Sequence, residues 1–115
     1  MDAAQSNPIT QREGSVMTAQ DLRATLAGSK PPEGVDLLVE ALWWEAKGDW
    51  SRAHEIAQEI SSPDASWVHA YLHRKEGDAS NAGYWYGQAG RSHAHQALET
   101  EWNDIAGALL TAGAQ

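Results

Sequence analysis

The chain has 115 residues and no cysteine. This is the size of one domain, and disulfides, thiolate metal ligands and cysteine nucleophiles are excluded. Sixteen acidic residues against eight basic ones give a net charge of −8, and no basic patch could neutralise phosphates, so a nucleic-acid partner is not expected. No segment approaches the roughly 18 apolar residues of a membrane span, and no secretion signal is visible, so we expect a cytoplasmic protein without membrane contact.

The first part of the chain differs in pattern from the rest. Residues 1–17 show no apolar periodicity and are predicted to be a mobile arm, whereas residues 18–115 are predicted to form a single all-α domain. The sequence TAQD, followed by Leu22 and Leu26 at helical spacing, predicts a short helix over roughly residues 19–27.

Two helical pairs follow. The first pair is two helices joined at Gly48, predicted by the segments VDLLVEALWWEAKG and DWSRAHEIAQEIS. The second pair is two helices joined at Gly77, predicted by the segments WVHAYLHRKE and ASNAGYWYGQAG. The turns are so short that each pair must fold back antiparallel. SHAHQALETEWNDIAGALLTAG then predicts the longest helix, with an apolar face that includes Leu98, Trp102 and Ile105. The expected fold is therefore six helices without strands.

The two pairs repeat one another at a spacing of 29 residues. Gly48-Asp49 superimposes on Gly77-Asp78, and Ala53 superimposes on Ala82. Glycine can close the first helix in the left-handed conformation, aspartate caps the second helix, and alanine allows close helix packing. With these features the chain resembles a tetratricopeptide-like α-α superhelix over about residues 37–90, although the usual period is about 34 residues.

This resemblance implies a protein- or peptide-binding module whose concave surface is lined by the first helix of each hairpin. Aromatic and aliphatic side chains would supply contact area, and charged ones would fix the orientation of the partner. The groove residues implied in this way are Leu38, Leu42, Glu45, Trp67, Tyr71, Arg74 and Lys75.

A second candidate site is a polar pocket around His69 and His73, which lie four residues apart on one helix. Repeat alignment places Glu40 at the position equivalent to His69, and Tyr84 is a nearby aromatic residue that we expect to reach solvent. Two imidazoles at this spacing can bind one metal ion, but no third ligand is visible nearby. We therefore expect a hydrogen-bonded structural cluster, with no metal and no cofactor.

The sequence contains no nucleophile elbow, phosphate-binding glycine loop or zincin helix, so no catalytic residue is assigned. Besides the protein- or peptide-binding module, two alternatives remain open. One is a small-molecule or enzymatic pocket built around Glu40, His69 and His73. The other is a structural homodimer that buries the groove or the last helix against a second copy.

Overall fold

The computed structural model of the chain describes residues 17–113. These residues contain six α-helices and one short 3-10 turn. No strand occurs among these residues, so the predicted all-α fold is confirmed. The helices are α1 (Ala19–Ala24, followed by the 3-10 turn Thr25–Ala27), α2 (Leu37–Ala46), α3 (Trp50–Gln58), α4 (Pro63–Lys75), α5 (Ala79–Ala89) and α6 (Leu98–Gly113).

The turns of the two hairpins, α2–α3 and α4–α5, have the same geometry. Gly48 and Gly77 adopt φ values of 98° and 90°, which lie in the region that favours glycine. The amide of Asp49 donates to the carbonyl of Trp44, and that of Asp78 donates to the carbonyl of His73, both at 2.9 Å. Each aspartate side chain also accepts a backbone amide of the helix that follows. The two turns thus share one backbone geometry.

The interfaces between these helices are closely packed around small residues. Ala53 of α3 and Ala82 of α5 are completely buried, as expected where an alanine lets two helices approach closely. Hydrogen bonds also join the two hairpins, since the indole Nε1 of Trp50 donates to the carbonyl oxygen of Leu72 at 2.7 Å. Helix α3 therefore packs between α2 of its own hairpin and α4 of the next one.

Helix α6 begins later than the sequence pattern predicts. The expected helix included Ser92 to Ala97, but these residues form an irregular connection and α6 begins at Leu98. Gly90 ends α5 at a φ of 72°, and the guanidinium of Arg74 donates to the carbonyl of Gln96. This hydrogen bond from Arg74 holds the Gln96 carbonyl within the irregular connection. The apolar face expected for α6 is confirmed, since Trp102, Ile105 and Leu109 are buried.

Helix α6 packs on α2 and α4, and α1 packs on α6. The indole Nε1 of Trp102 donates to the carbonyl of Leu42 at 3.1 Å, deep in the protein. The Arg23 guanidinium lies 4.2 Å from the centre of the Trp102 ring, and its Nε donates to Asn103 at 2.8 Å. These contacts fix both terminal helices on one face.

The predicted arm, residues 1–17, lies outside the described residues except for Met17, which packs partly buried against the core. Among the helices of residues 17–113, none combines the length and apolarity that crossing a membrane would require.

Candidate functional site

The groove predicted from the repeat resemblance is covered by the chain itself. Arg74 is half-buried and Lys75 is exposed, but the other five residues are buried: Leu38, Leu42, Glu45, Trp67 and Tyr71. The physical reason is that α6 packs its own apolar face on α2 and α4. The expectation of an open concave surface therefore needs correction, because these side chains form an interior interface.

The charged groove residues also have partners within the chain. Lys75 forms an ion pair with the buried carboxylate of Glu45. Burial, followed by the nearby Glu45 and Glu101 carboxylates, raises the pKa of the adjacent Tyr71 hydroxyl, with Arg23 and Arg74 opposing the shift. The charges that were expected to orient a partner thus stabilise the packed helices.

Glu101 of α6 is buried among donors from the second hairpin. Its carboxylate accepts from the indole of Trp67 at 3.2 Å, from Arg74 at 2.8 Å, and from the Tyr86 hydroxyl at 2.6 and 2.8 Å. Burial, and then the hydrogen bond to Glu101, raise the pKa of Tyr86. The sequence analysis did not identify Glu101, because a glutamate in an amphipathic helix is normally solvated.

A polar cavity of about 620 Å³ lies beside this network. Arg91 covers the indole of Trp67, with its guanidinium carbon 3.3 Å from the ring centre. His93 and Asp104 also line the cavity. Since three donors already satisfy the Glu101 carboxylate, its evident role is to hold α6 against the second hairpin.

The second predicted site lies at the interface between the two hairpins and contains three histidines. His69 and His73 of α4 are buried, and His54 of α3 joins them. The ring centres of His54 lie 4.5 Å from His69 and 5.2 Å from His73, and the two α4 rings are 4.9 Å apart. One ligand nitrogen from each ring lies within 4.8 Å of the other two. We call His54, His69 and His73 the histidine cluster.

Two indoles hold these rings in place. Trp85 of α5 stacks on His69 at 4.0 Å with an interplanar angle of 11°, and Trp50 stacks on His54 at 4.8 Å with an angle of 12°. The Trp50 ring also meets His73 edge-on at 5.8 Å. Aromatic contacts on the ring faces restrict rotation while leaving the edges, where the nitrogens lie, available to a ligand.

The environment favours neutral imidazoles. Burial lowers the pKa of His69 to about 4, with smaller contributions from His54 and His73. Burial also lowers the pKa of His54, and neighbouring His73 acts in the same direction while Glu76 opposes it. At neutral pH both imidazoles therefore keep a lone pair, which is the form that binds a metal ion.

Glu76 determines which nitrogen of His73 is free. The Glu76 Oε2 lies 2.8 Å from the His73 Nδ1, and a carboxylate oxygen can only accept, so Nδ1 carries the proton. In the neutral tautomer with this proton, Nε2 is the nitrogen that carries the lone pair. A carboxylate on the far nitrogen is the usual support for a metal-ligating histidine, because it fixes the tautomer and increases ligand basicity.

The cluster has nearly the dimensions of a three-histidine metal site. With metal–nitrogen distances of about 2.05 Å and tetrahedral angles, ligand nitrogens lie about 3.3 Å apart. The nitrogens here lie within 4.8 Å of each other, so an ion would require them to approach by at most roughly 1.5 Å. Small side-chain rotations on two packed helices can supply that displacement.

The structure places the other pocket candidates differently. Glu40 is half-buried on α2 and is not part of the histidine cluster, since α3 rather than α2 supplies the third group. Tyr84 is exposed as expected and meets the edge of Trp85 at 5.1 Å, so it lies at the outer margin of the aromatic layer. His54 was missed, although Trp50 and His54 repeat on α3 the four-residue spacing of His69 and His73.

Comparisons with known proteins find no family model that matches the chain, and no characterised protein or solved structure that is detectably similar to it. The function is therefore argued from the geometry of the histidine cluster.

Proposed function

We propose that the protein binds one divalent transition-metal ion, such as Zn²⁺, Ni²⁺ or Co²⁺, through His54, His69 and His73. The observation that carries the proposal is the convergence of three ligand nitrogens within 4.8 Å of each other. Imidazole nitrogen is a preferred ligand of these ions. The objection raised by the sequence, that a third ligand is missing, no longer applies because α3 supplies His54.

The arrangement supports metal binding better than packing alone. A histidine that serves packing alone needs only the hydrogen bonds that satisfy its buried ring nitrogens. Here Glu76 occupies the His73 Nδ1, and the lowered pKa values of His54 and His69 keep these rings unprotonated. Neutral, oriented imidazoles are the form in which a metal site is prepared.

A calorimetric titration tests the proposal. The chain should be purified without a polyhistidine tag, stripped with EDTA and dialysed, and then titrated with zinc. We expect one zinc ion per chain and a melting temperature that rises with zinc concentration, corresponding to about 2.7 kcal/mol at one hundred times the dissociation constant.

Two sets of variants use four of the five histidines of the chain. His54→Gln and His73→Gln should each weaken zinc binding at least tenfold, because each removes one of three ligands. The matched control is the double variant His93→Gln/His95→Gln, which changes a pair in the connection before α6 and should bind zinc like the parent. Circular dichroism shows whether each variant is folded.

If folded wild-type protein takes up no zinc and its melting temperature does not change, the proposal is wrong and the cluster serves packing only. The same conclusion follows if the control loses zinc binding while His54→Gln retains it. Binding of a protein or peptide, and formation of a homodimer, remain predictions from the sequence. For the former, the residues implied as the groove are largely covered by α6.

A further inference from the structure

The number of protein ligands determines how many coordination positions of a bound metal ion remain for water or another exogenous ligand. A tetrahedral ion has four positions, and structural sites fill all of them with protein groups, whereas three protein ligands leave one position for water or another exogenous ligand. The histidine cluster supplies three nitrogens. The position remains open if no fourth protein group near the histidine cluster can bind the ion.

The two nearest carboxylates in the described part of the chain are already used. Glu76 and Asp78 lie close to His73, but the Glu76 carboxylate already accepts from the His73 Nδ1. Asp78 caps α5, where its carboxylate accepts from the backbone amide and the side-chain amide of Asn81. Neither carboxylate is free to complete the coordination.

A cavity of about 310 Å³ adjoins the cluster at His69 and Trp85. Its other walls carry hydroxyl and amide groups, including those of Ser66 and Gln88. The hydroxyl of Ser62, also in the wall, accepts from the amide of Ala65 at the start of α4 and keeps its own hydrogen to donate. The cavity thus combines space beside a proposed ligand with hydrogen-bond donors.

The charge of the centre indicates which ligand would fit. Three neutral imidazoles leave the full double positive charge of the ion uncompensated, and burial makes such a charge costly. A small anion at the fourth position would reduce this charge, and the donors in the cavity could bind the atoms of the anion that do not touch the metal.

We infer that the ion bound by His54, His69 and His73 keeps one coordination position open toward the cavity beside His69 and Trp85, and that this position binds a small anion. The inference rests on the proposed metal binding. The open position distinguishes this site from a structural site with four protein ligands. Its water or anion can be replaced by another ligand without loss of the metal.

Cobalt-loaded protein titrated with azide tests the inference, because the visible absorption of Co²⁺ responds to its ligands. We expect a saturable change in the cobalt spectrum with one azide per metal. Ser66→Ala should bind cobalt unchanged but weaken azide binding roughly fivefold, since one hydrogen bond to the anion is lost. The matched control is Ser92→Ala, in the connection before α6 and not in the wall of this cavity, which should leave both steps unchanged.

The outcomes separate the two proposals. If cobalt binds but azide leaves the spectrum unchanged, the coordination is closed and the open position is refuted while metal binding stands. If azide binds equally well to Ser66→Ala and to the parent, the anion does not lie in this cavity, and that part of the inference is wrong. If no cobalt spectrum develops, or if it persists in the double variant His54→Gln/His73→Gln, the proposed function itself fails.

Discussion

The ring of His73 contacts a carboxylate as well as the other two imidazoles. Its Nδ1 lies 2.8 Å from the Glu76 carboxylate, and its ring centre lies 5.2 Å from that of His54 and 4.9 Å from that of His69. Glu76 does not itself enter the proposed coordination, so it acts as a positioning residue. Its effect should therefore be measurable on metal affinity without loss of the fold.

Replacing Glu76 with glutamine should weaken zinc binding by roughly 10- to 100-fold, the range found when such supporting groups are changed. The amide can still accept a hydrogen bond but no longer carries the negative charge beside the His73 Nδ1. Glu99→Gln, at an exposed position of α6, is the control and should not change affinity. Competition titrations against a zinc chelator measure both. Equal affinities for Glu76→Gln and the parent would show that Glu76 does not support the site.

The metal-free protein should become less stable as the solution is acidified, because of His69. The His69 pKa is about 4 in the folded chain and about 6.5 in an unfolded one, so between these values the unfolded chain binds a proton that the folded chain does not. Stability is therefore complete above pH 6.5 and falls toward pH 4. Burial is the main cause of the lowered His69 pKa, and the neighbouring His54 and His73 lower it further.

Urea unfolding in EDTA at several pH values checks this expectation. The free energy of unfolding should fall by about 1–3 kcal/mol between pH 7 and pH 4.5 through this residue. Carboxylates also titrate near the lower end of the range, so His69→Gln serves as the reference. A pH dependence that is the same in His69→Gln and the parent would contradict the assignment.

At the scale of the helices, the sequence repeat predicts the structure well where it concerns backbone chemistry. Gly48 and Gly77 have the expected left-handed conformation, and each following aspartate caps the next helix. Both effects depend on neighbouring residues only, so a sequence pattern contains them. The start of α6 was misplaced because a long-range bond, from Arg74 to the Gln96 carbonyl, holds a segment whose local pattern is helical.

Enlarging the alanines of the hairpins should destabilise the protein. Ala53→Leu and Ala82→Leu each add volume at a fully buried position and should lower the free energy of unfolding by about 1–3 kcal/mol. Ala79→Leu, at the exposed start of α5, is the matched control. Urea melts compare the three. If the two buried variants unfold at the wild-type midpoint with the same slope, the packing inferred for the hairpins is wrong.

Glu101 attaches α6 to the second hairpin through Trp67, Arg74 and Tyr86. Glu101→Gln should destabilise the protein by about 2–4 kcal/mol, because the half-buried Arg74 loses its ionic partner while the donors of Tyr86 and Trp67 meet an amide. Glu99→Gln removes an exposed carboxylate from the same helical turn and should have little effect. Thermal melts of both variants make the comparison, and equal shifts would mean that the buried network contributes nothing specific.

For the molecule as a whole, the sequence predicted the number and order of the helices but not which surfaces they cover. Periodicity shows that a helix has an apolar face, yet it does not identify the face that it meets. Leu42 and Trp67 were therefore assigned to an open groove although α6 and its Trp102 and Glu101 side chains cover them. The sequence pattern reveals His69 and His73 because they lie four residues apart on one helix. It does not reveal His54, because that ring comes from another helix.

The covering of α2 and α4 by α6 means that the chain itself occupies the surface that the repeat resemblance implied for a partner. A tether of a few residues gives such a segment an effective concentration of the order of millimolar. An outside peptide could occupy this surface only by displacing α6 against that concentration. Cleavage between Arg91 and Ser92 would remove the tether. We expect a fragment of residues 92–115 to bind residues 1–91 in trans and restore the native helical spectrum, with Trp102 as the main anchor.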